Sequence, residues 1–171
     1  MIIMYMLRVL FDTNVYGHLI TEKDLIEIQK KIKEDKEFKV YGYKPIRNEI
    51  RAIPKITKQS KRARNLILNL YDEMTNKNFL QHSIEITILA KKYYDCYRNF
   101  GGIYGWDTSI RIDFMIVACS SSNGLDVVYS ADNKTLMNKS AIKAYHHINL
   151  KENLRTPDFL KYEDLLKKFR S

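Results

Sequence analysis

The stretch Asp113 to Asp132, DFMIVACSSSNGLDVVYSAD, reads as a helix, a turn and a strand with a carboxylate at each end. From Asp113 to Ser122 the chain suits a helix of about 15 Å, at roughly 1.5 Å per residue. Asn123-Gly124 is a strong breaker pair. Leu125 to Ser130 is a β-rich run that climbs back about 20 Å, at roughly 3.3 Å per residue. The two legs are nearly equal in length and opposite in direction. Asp132 therefore returns to the level at which the helix began, beside Asp113. Two carboxylates brought together in this way raise each other's pKa unless a cation lies between them. The rest of the chain can be searched for further ligands of such a cation.

The bulk properties bound that search. A chain of 171 residues is expected to form one domain, residues 1–171, with a full core. There is no apolar run of 18 residues, so no membrane span is expected. The opening MIIMYMLRVLF lacks the basic segment and cleavage site of a signal peptide and reads as a first strand. Cys96 and Cys119 lie in apolar helical patterns without a CxxC partner. Buried free thiols of a cytoplasmic protein are expected, not a disulfide or a zinc site. His146 and His147 are adjacent, and on a strand they would point to opposite faces, which makes them poor chelators. Twenty-nine Lys and Arg against 20 Asp and Glu give a net charge of +9. That excess fits an anionic partner such as nucleic acid as well as a solvated basic surface.

Before the opening stretch, Leu7 to Phe11 is a short apolar run that stops at Asp12-Thr13-Asn14, residues suited to a turn or helix cap. This fits a buried strand ending at the carboxyl edge of a parallel sheet. Thr21-Glu22-Lys23-Asp24 has the form of a capping box, with Ile20 and Leu25 as its staple. Leu25, Ile28 and Ile32 then mark one helical face. Phe38 to Tyr41 alternates as a second strand, and Pro45 suits the first turn of a short helix carrying Glu49. A long helix from about Thr57 is expected to bury Ala63, Leu66, Ile67, Leu70 and Met74 and to expose Lys58, Lys61, Arg62 and Arg64. Another, from about Ser83, carries Ile86, Leu89, Tyr93, Cys96 and Tyr97 at helical spacing. The glycine- and aromatic-rich loop 99–106 leads into the Asp113 helix, whose start can lie a turn before that residue.

After Asp132 a last strand is expected near His147 to Leu150. Thr156-Pro157 then signals a closing helix with Phe159, Tyr162, Leu166 and Phe169 on one face. The alternation of strands and helices predicts a three-layer α/β/α sandwich around a mainly parallel sheet. Such sheets bind ligands at the carboxyl ends of their strands, near the switch in strand order.

Four acids stand at element boundaries on that edge: Asp12, Glu49, Asp113 and Asp132. Asp107 reads instead as a helix cap, and Asp126 begins a strand at the opposite edge. Hard oxygen ligands suit Mg²⁺ or Mn²⁺. Such ions can activate a water and stabilise the leaving oxygen in phosphodiester hydrolysis, with no His, Cys or Ser nucleophile.

In Asp12-Thr13-Asn14, Ile46-Arg47-Asn48-Glu49-Ile50, Asp113-Phe114-Met115-Ile116-Val117-Ala118 and Ser130-Ala131-Asp132, the chain resembles the PIN-domain nucleases, and within them the small VapC-type toxin ribonucleases. Order and spacing match over nearly the whole chain. The resemblance implies a PIN-like fold and a Mg²⁺- or Mn²⁺-dependent endoribonuclease with the four acids around the metal. It implies that Asn14 and Ser130 order the site by hydrogen bonds; read locally, both residues cap turns. It further implies RNA as substrate, an antitoxin protein as partner and a homodimer. The 99–106 loop and the 133–156 segment depart from a compact member of that family. Arg47, Arg51, Lys58 and Arg62 form a candidate phosphate track, beside the reading of a solvated basic face. Tyr104 and Trp106 can stack on unpaired bases or pack inward. Two other readings stand beside this one. An aspartate-nucleophile phosphotransferase would need a second acid where Asn14 stands, and a non-catalytic PIN-fold module would bind RNA or protein without cleavage.

Overall fold

Two apolar runs, Leu7–Phe11 (β1) and Val127–Ser130 (β4), form the centre of a sheet and are buried over most of their length. The computed structural model describes residues 3 and 5–170. The remaining strands are β2 (Phe38–Tyr43), β3 (Phe79–Leu80) and β5 (Asp158–Lys161). The helices are α1 (Thr13–Leu19), α2 (Leu25–Glu34), α3 (Lys44–Arg51), α4 (Lys58–Thr75), α5 (Ile84–Asn99), α6 (Thr108–Ser122), α7 (Lys139–Lys151) and α8 (Tyr162–Phe169). The sheet order is β3-β2-β1-β4-β5 and every pairing is parallel. Val9 stands opposite Val40 of β2 and Val127 of β4. The chain moves outward from β1 through β2 to β3, then crosses to β4 and β5 on the other side. The strand order therefore switches between β1 and β4, where a ligand crevice opens at the carboxyl ends. Helix α2 packs on both α4 and α8, α5 packs on both α6 and α7, and α6 lies across β1 and β4.

Aromatic rings fill much of the core. Phe11 meets Tyr129 edge-on at 5.6 Å, and Phe38 meets Phe169 at 5.0 Å. Such pairs add about 0.5–1.5 kcal/mol beyond their area burial. Tyr71 joins α4 to the end of β2: its hydroxyl accepts from Tyr43 N at 2.7 Å and donates to Tyr43 O at 3.2 Å. This requires close approach at Gly42, where a Cβ would meet the Tyr71 hydroxyl oxygen at 2.7 Å.

The structure corrects several local expectations. Of the two readings of Asp12-Thr13-Asn14, turn or helix cap, the cap holds: Asp12 caps α1. The Thr21 capping box does not form. Thr21 Oγ1 donates to His18 O, α2 begins at Leu25, and Asp24 makes no side-chain cap bond because its carboxylate holds Arg170 at 2.6 Å. Helix α6 starts at Thr108, about a turn before Asp113 as its sequence allows, whereas β4 starts only at Val127, not at Leu125. His147 to Leu150 is helical, within α7. The last strand is β5, and α8 begins at Tyr162, not after Thr156-Pro157. Thr156 spends its hydroxyl accepting from Asn149 Nδ2 at 2.9 Å, and Pro157, lacking an N–H, precedes an edge strand. In α4 the inward stripe is Ile67, Leu70, Tyr71 and Met74, while Leu66 is exposed. The two cysteines are free thiols as expected, but only Cys119 is buried, Cys96 being half-buried. Among the described residues no helix is long and apolar enough to cross a membrane.

Candidate active site

The carboxyl ends of β1 and β4 are laced together by side chains. Asp12 follows β1, and its backbone N–H donates to Tyr129 O at 2.9 Å, which holds it at the edge. Its Oδ1 accepts from Thr13 N at 2.7 Å, and its Oδ2 accepts from Ser130 Oγ at 2.8 Å. Ser130 Oγ in turn accepts from Asp132 N at 2.9 Å and from Asn14 Nδ2 at 3.5 Å. One hydroxyl has one donor and two lone pairs, so Ser130 is saturated. Asn14 Oδ1 accepts from Ala131 N at 3.0 Å. The start of α1 and the end of β4 are thus fixed to each other through Asn14 and Ser130.

Asp113 reaches the same place from α6, whose start is set by Asp107 accepting from Ile110 N at 3.0 Å. Asp132 is held by the turn that follows it. Its Oδ1 accepts from Lys134 N at 2.7 Å and Thr135 N at 3.2 Å. Thr135 Oγ1 then lies against Oδ2 of both Asp113 and Asp132. Glu49 enters from α3 and is half-buried. Thr13 Oγ1 is beside it, buried and without a hydrogen-bond partner of ordinary geometry.

The electrostatics follow from burial. Asp12 and Asp113 are only 3% and 6% exposed. Burial pushes the Asp12 carboxyl up to about 7; the Ser130 hydrogen bond opposes this and the charge of Glu49 adds to it. Burial also pushes Asp113 up, to about 9, and the nearby Asp12 charge contributes next. Burial raises Glu49 as well, with the Thr13 hydroxyl opposing. None of the ion pairs among the described residues involves these four acids. Asp126, by contrast, receives Arg8 N at 2.8 Å and Arg155 at 2.6 Å at the opposite edge, a structural pairing.

The donor set fits a hard divalent cation: carboxylates and hydroxyls without thiolate or imidazole. The two uncompensated buried acids fit it too. As they stand, no three His, Cys, Asp or Glu side chains among the described residues converge closely enough to enclose one ion. Thr135 occupies the space between Asp113 and Asp132.

A groove of about 470 Å³ runs from Glu49 of α3 and Ala52 just beyond it to Arg111, Ile112 and Met115 of α6. Arg111 is exposed at its mouth. Of the candidate phosphate track, Arg51, Lys58 and Arg62 are exposed. Arg47 is not available in the same way, because its guanidinium grips Asp72 at 2.9 and 3.0 Å. Trp106 packs inward against Tyr94 at 5.0 Å, with Lys91 over the Tyr94 ring at 4.6 Å, while Tyr104 stays partly exposed.

Sequence reasoning missed Thr13 and Thr135 as members of this constellation. Thr13 was in plain view between Asp12 and Asn14. The signal for Thr135 is its spacing, three residues after an acid, which lets a carboxylate cap the following turn and a hydroxyl return to it.

No protein-family model matches the chain, and no curated protein matches it in sequence. Among solved structures it is similar to VapBC2 from Rickettsia felis bound to a DNA fragment from their promoter, with a TM-score of 0.58 and 10% identity. That match covers 91% of this chain and 98% of the other. FitAcB from Neisseria gonorrhoeae matches with a TM-score of 0.50 and 12% identity, over 91% and 98%. At these identities the likeness establishes the fold, a PIN-like three-layer α/β/α sandwich.

Proposed function

We propose that the chain is a metal-dependent endoribonuclease that cleaves RNA phosphodiester bonds, and that it is the toxin of a toxin–antitoxin pair. The observation that carries this reading is the pair of buried acids, Asp12 and Asp113, at the switch in strand order with no basic side chain in an ion pair with either. Leaving two carboxyls unpaired in the interior costs stability, and a catalytic use for them accounts for that cost. The charges of Glu49 and Asp132 act on both of these carboxyls.

Asp12, Glu49, Asp113 and Asp132 would hold Mg²⁺ or Mn²⁺. When bound, such an ion supplies charge for the developing phosphate oxygens and lowers the pKa of a water. The protein's own residues do the positioning. Ser130 and Thr13 N orient the Asp12 carboxylate, Asn14 ties that junction to Ala131, and the Lys134 and Thr135 amides fix Asp132. The exposed Arg51, Lys58, Arg62 and Arg111 would receive RNA phosphates on one side of the edge. The likeness to VapBC2 and FitAcB supports an antitoxin partner. A homodimer belongs to the same proposal and is read by light scattering of the purified chain.

The test is cleavage of a mixed set of transfer, ribosomal and messenger RNAs with and without Mn²⁺. The expected outcome is metal-dependent cutting that Asp113→Asn abolishes while the fold is kept. Cutting by purified Asp113→Asn at the wild-type rate would remove these acids from the chemistry. One observation favours a second reading, a non-catalytic RNA- or protein-binding module: no three of the acids converge as they stand. RNA binding without any thermal response to Mg²⁺ or Mn²⁺ would select it.

A further inference from the structure

Thr135 is the side chain that joins the two halves of the acidic edge. Asp113 belongs to α6 and Asp132 to the turn after β4, and no hydrogen bond links them directly. Each is in contact with Thr135 Oγ1 through its Oδ2. Hydroxyl–carboxylate hydrogen bonds run about 2.5–3.0 Å, so two oxygens sharing one hydroxyl lie within about 6 Å of each other. Two oxygens at that separation can turn onto one cation, whereas two carboxylates left to repel would swing apart. The Thr135 backbone N–H also donates to Asp132 Oδ1, at 3.2 Å, so the residue holds both oxygens of that carboxylate. Its own side chain is half-buried and makes no other hydrogen bond.

We propose that Thr135 is a positioning residue: its hydroxyl sets the spacing of Asp113 and Asp132 so that both carboxylates can serve one divalent cation. The inference rests on the metal-dependent reading above and adds to it a residue that touches neither substrate nor reacting atoms. A hydroxyl has a single proton and can donate to only one carboxylate at a time. If the two carboxylates held a cation, Thr135 would need to donate to only one of them. Outer partners of this kind typically change metal affinity by about 10–100-fold.

Calorimetric titration with Mn²⁺ alone tests this on the full chain. Thr135→Val keeps the shape and removes the hydroxyl; Thr135→Ser keeps the hydroxyl. The expected result is an apparent Mn²⁺ Kd at least 10-fold weaker for Thr135→Val and within about 3-fold of wild type for Thr135→Ser. The midpoint of metal-free thermal unfolding, measured for each variant, separates this from a general loss of stability. Thr135→Ala gives the same comparison if valine is not accommodated. Wild-type affinity in the folded Val or Ala variant overturns the positioning role and leaves the metal site standing. Equal weakening in Val and Ser also overturns it, because the hydroxyl is then not what matters. Absence of Mn²⁺ binding by the wild-type chain overturns both this inference and the metal-dependent reading.

Discussion

Asp12 and Asp113 carry their protons in the fold more tightly than they would in an unfolded chain, because burial disfavours their charged forms. The sign of the resulting pH dependence is fixed by linkage. The stability these groups contribute is full below about pH 4. It is lost as pH rises through their folded values, about 7 for Asp12 and about 9 for Asp113. The metal-free protein is therefore expected to melt at progressively lower temperature from pH 5 to pH 9. The increment given by Mn²⁺ should grow over the same range, since ligands must deprotonate to bind. Asp113→Asn removes the group that the fold must keep protonated, so its metal-free melting point at pH 8 should exceed that of wild type, and the difference should shrink towards pH 5. A melting point that stays flat with pH would mean these carboxyls are solvated as in the unfolded chain. The shared edge of the four acids could be read from chain direction: Asp12 and Asp132 follow strands, and Glu49 and Asp113 lie in the second turns of helices that start at that edge. Thr135 was not legible, because its role depends on where an oxygen falls between two carboxylates from distant segments.

At the scale of elements, helix starts were read well where a cap stands alone and poorly where its side chain is wanted elsewhere. Thr57 and Ser83 cap α4 and α5 as their sequences suggest, accepting from Ser60 N and Ile86 N. Asp24 fails as a cap because Arg170 claims it, and that arginine lies at the far end of the chain. Thr156 fails for a similar reason. Asn149, fully buried, receives Tyr93 Oη on its Oδ1 and gives its Nδ2 hydrogens to Ser121 Oγ and Thr156 Oγ1. A local pattern cannot foresee a partner that arrives from another helix. Asn149→Leu should leave the Tyr93 hydroxyl and Ser121 without that partner, at about 1–3 kcal/mol in denaturant unfolding. The cap at Asp107 allows a sharper test of how α6 sets the site. Asp107→Ala should cost about 1 kcal/mol. It should also weaken the Mn²⁺ response, since the first turn of α6 carries the chain towards Asp113. A variant that loses stability but keeps the full Mn²⁺ increment would show that Asp113 is held by the sheet and by Thr135 without help from that turn.

For the molecule as a whole, the parallel sheet and its helical layers were readable because buried strands and amphipathic helices alternate, whereas β3, two residues long, carried too little pattern to be seen. The charge distribution needed the structure. A basic run from Arg47 to Arg64 looks uniform in sequence, yet Arg47 is bound to Asp72 and one guanidinium nitrogen of Arg64 reaches Arg51 O at 3.4 Å, while Lys58 and Arg62 face water. These residues should therefore separate in a binding experiment on single-stranded RNA. Each phosphate neutralised by a cation contributes about 0.7 to the slope of log affinity against log salt for single strands. Lys58→Ala combined with Arg62→Ala should lower that slope by up to about 1.4 and weaken binding alike across RNA sequences. Arg47→Ala should leave the slope unchanged and lower stability by about 0.2–1 kcal/mol, as for a half-exposed ion pair. The opposite pattern, with Arg47→Ala reducing the slope and the double variant unaffected, would move the RNA path off the start of α4. It would then lie along α3, towards Glu49 and the groove that opens beside Arg111.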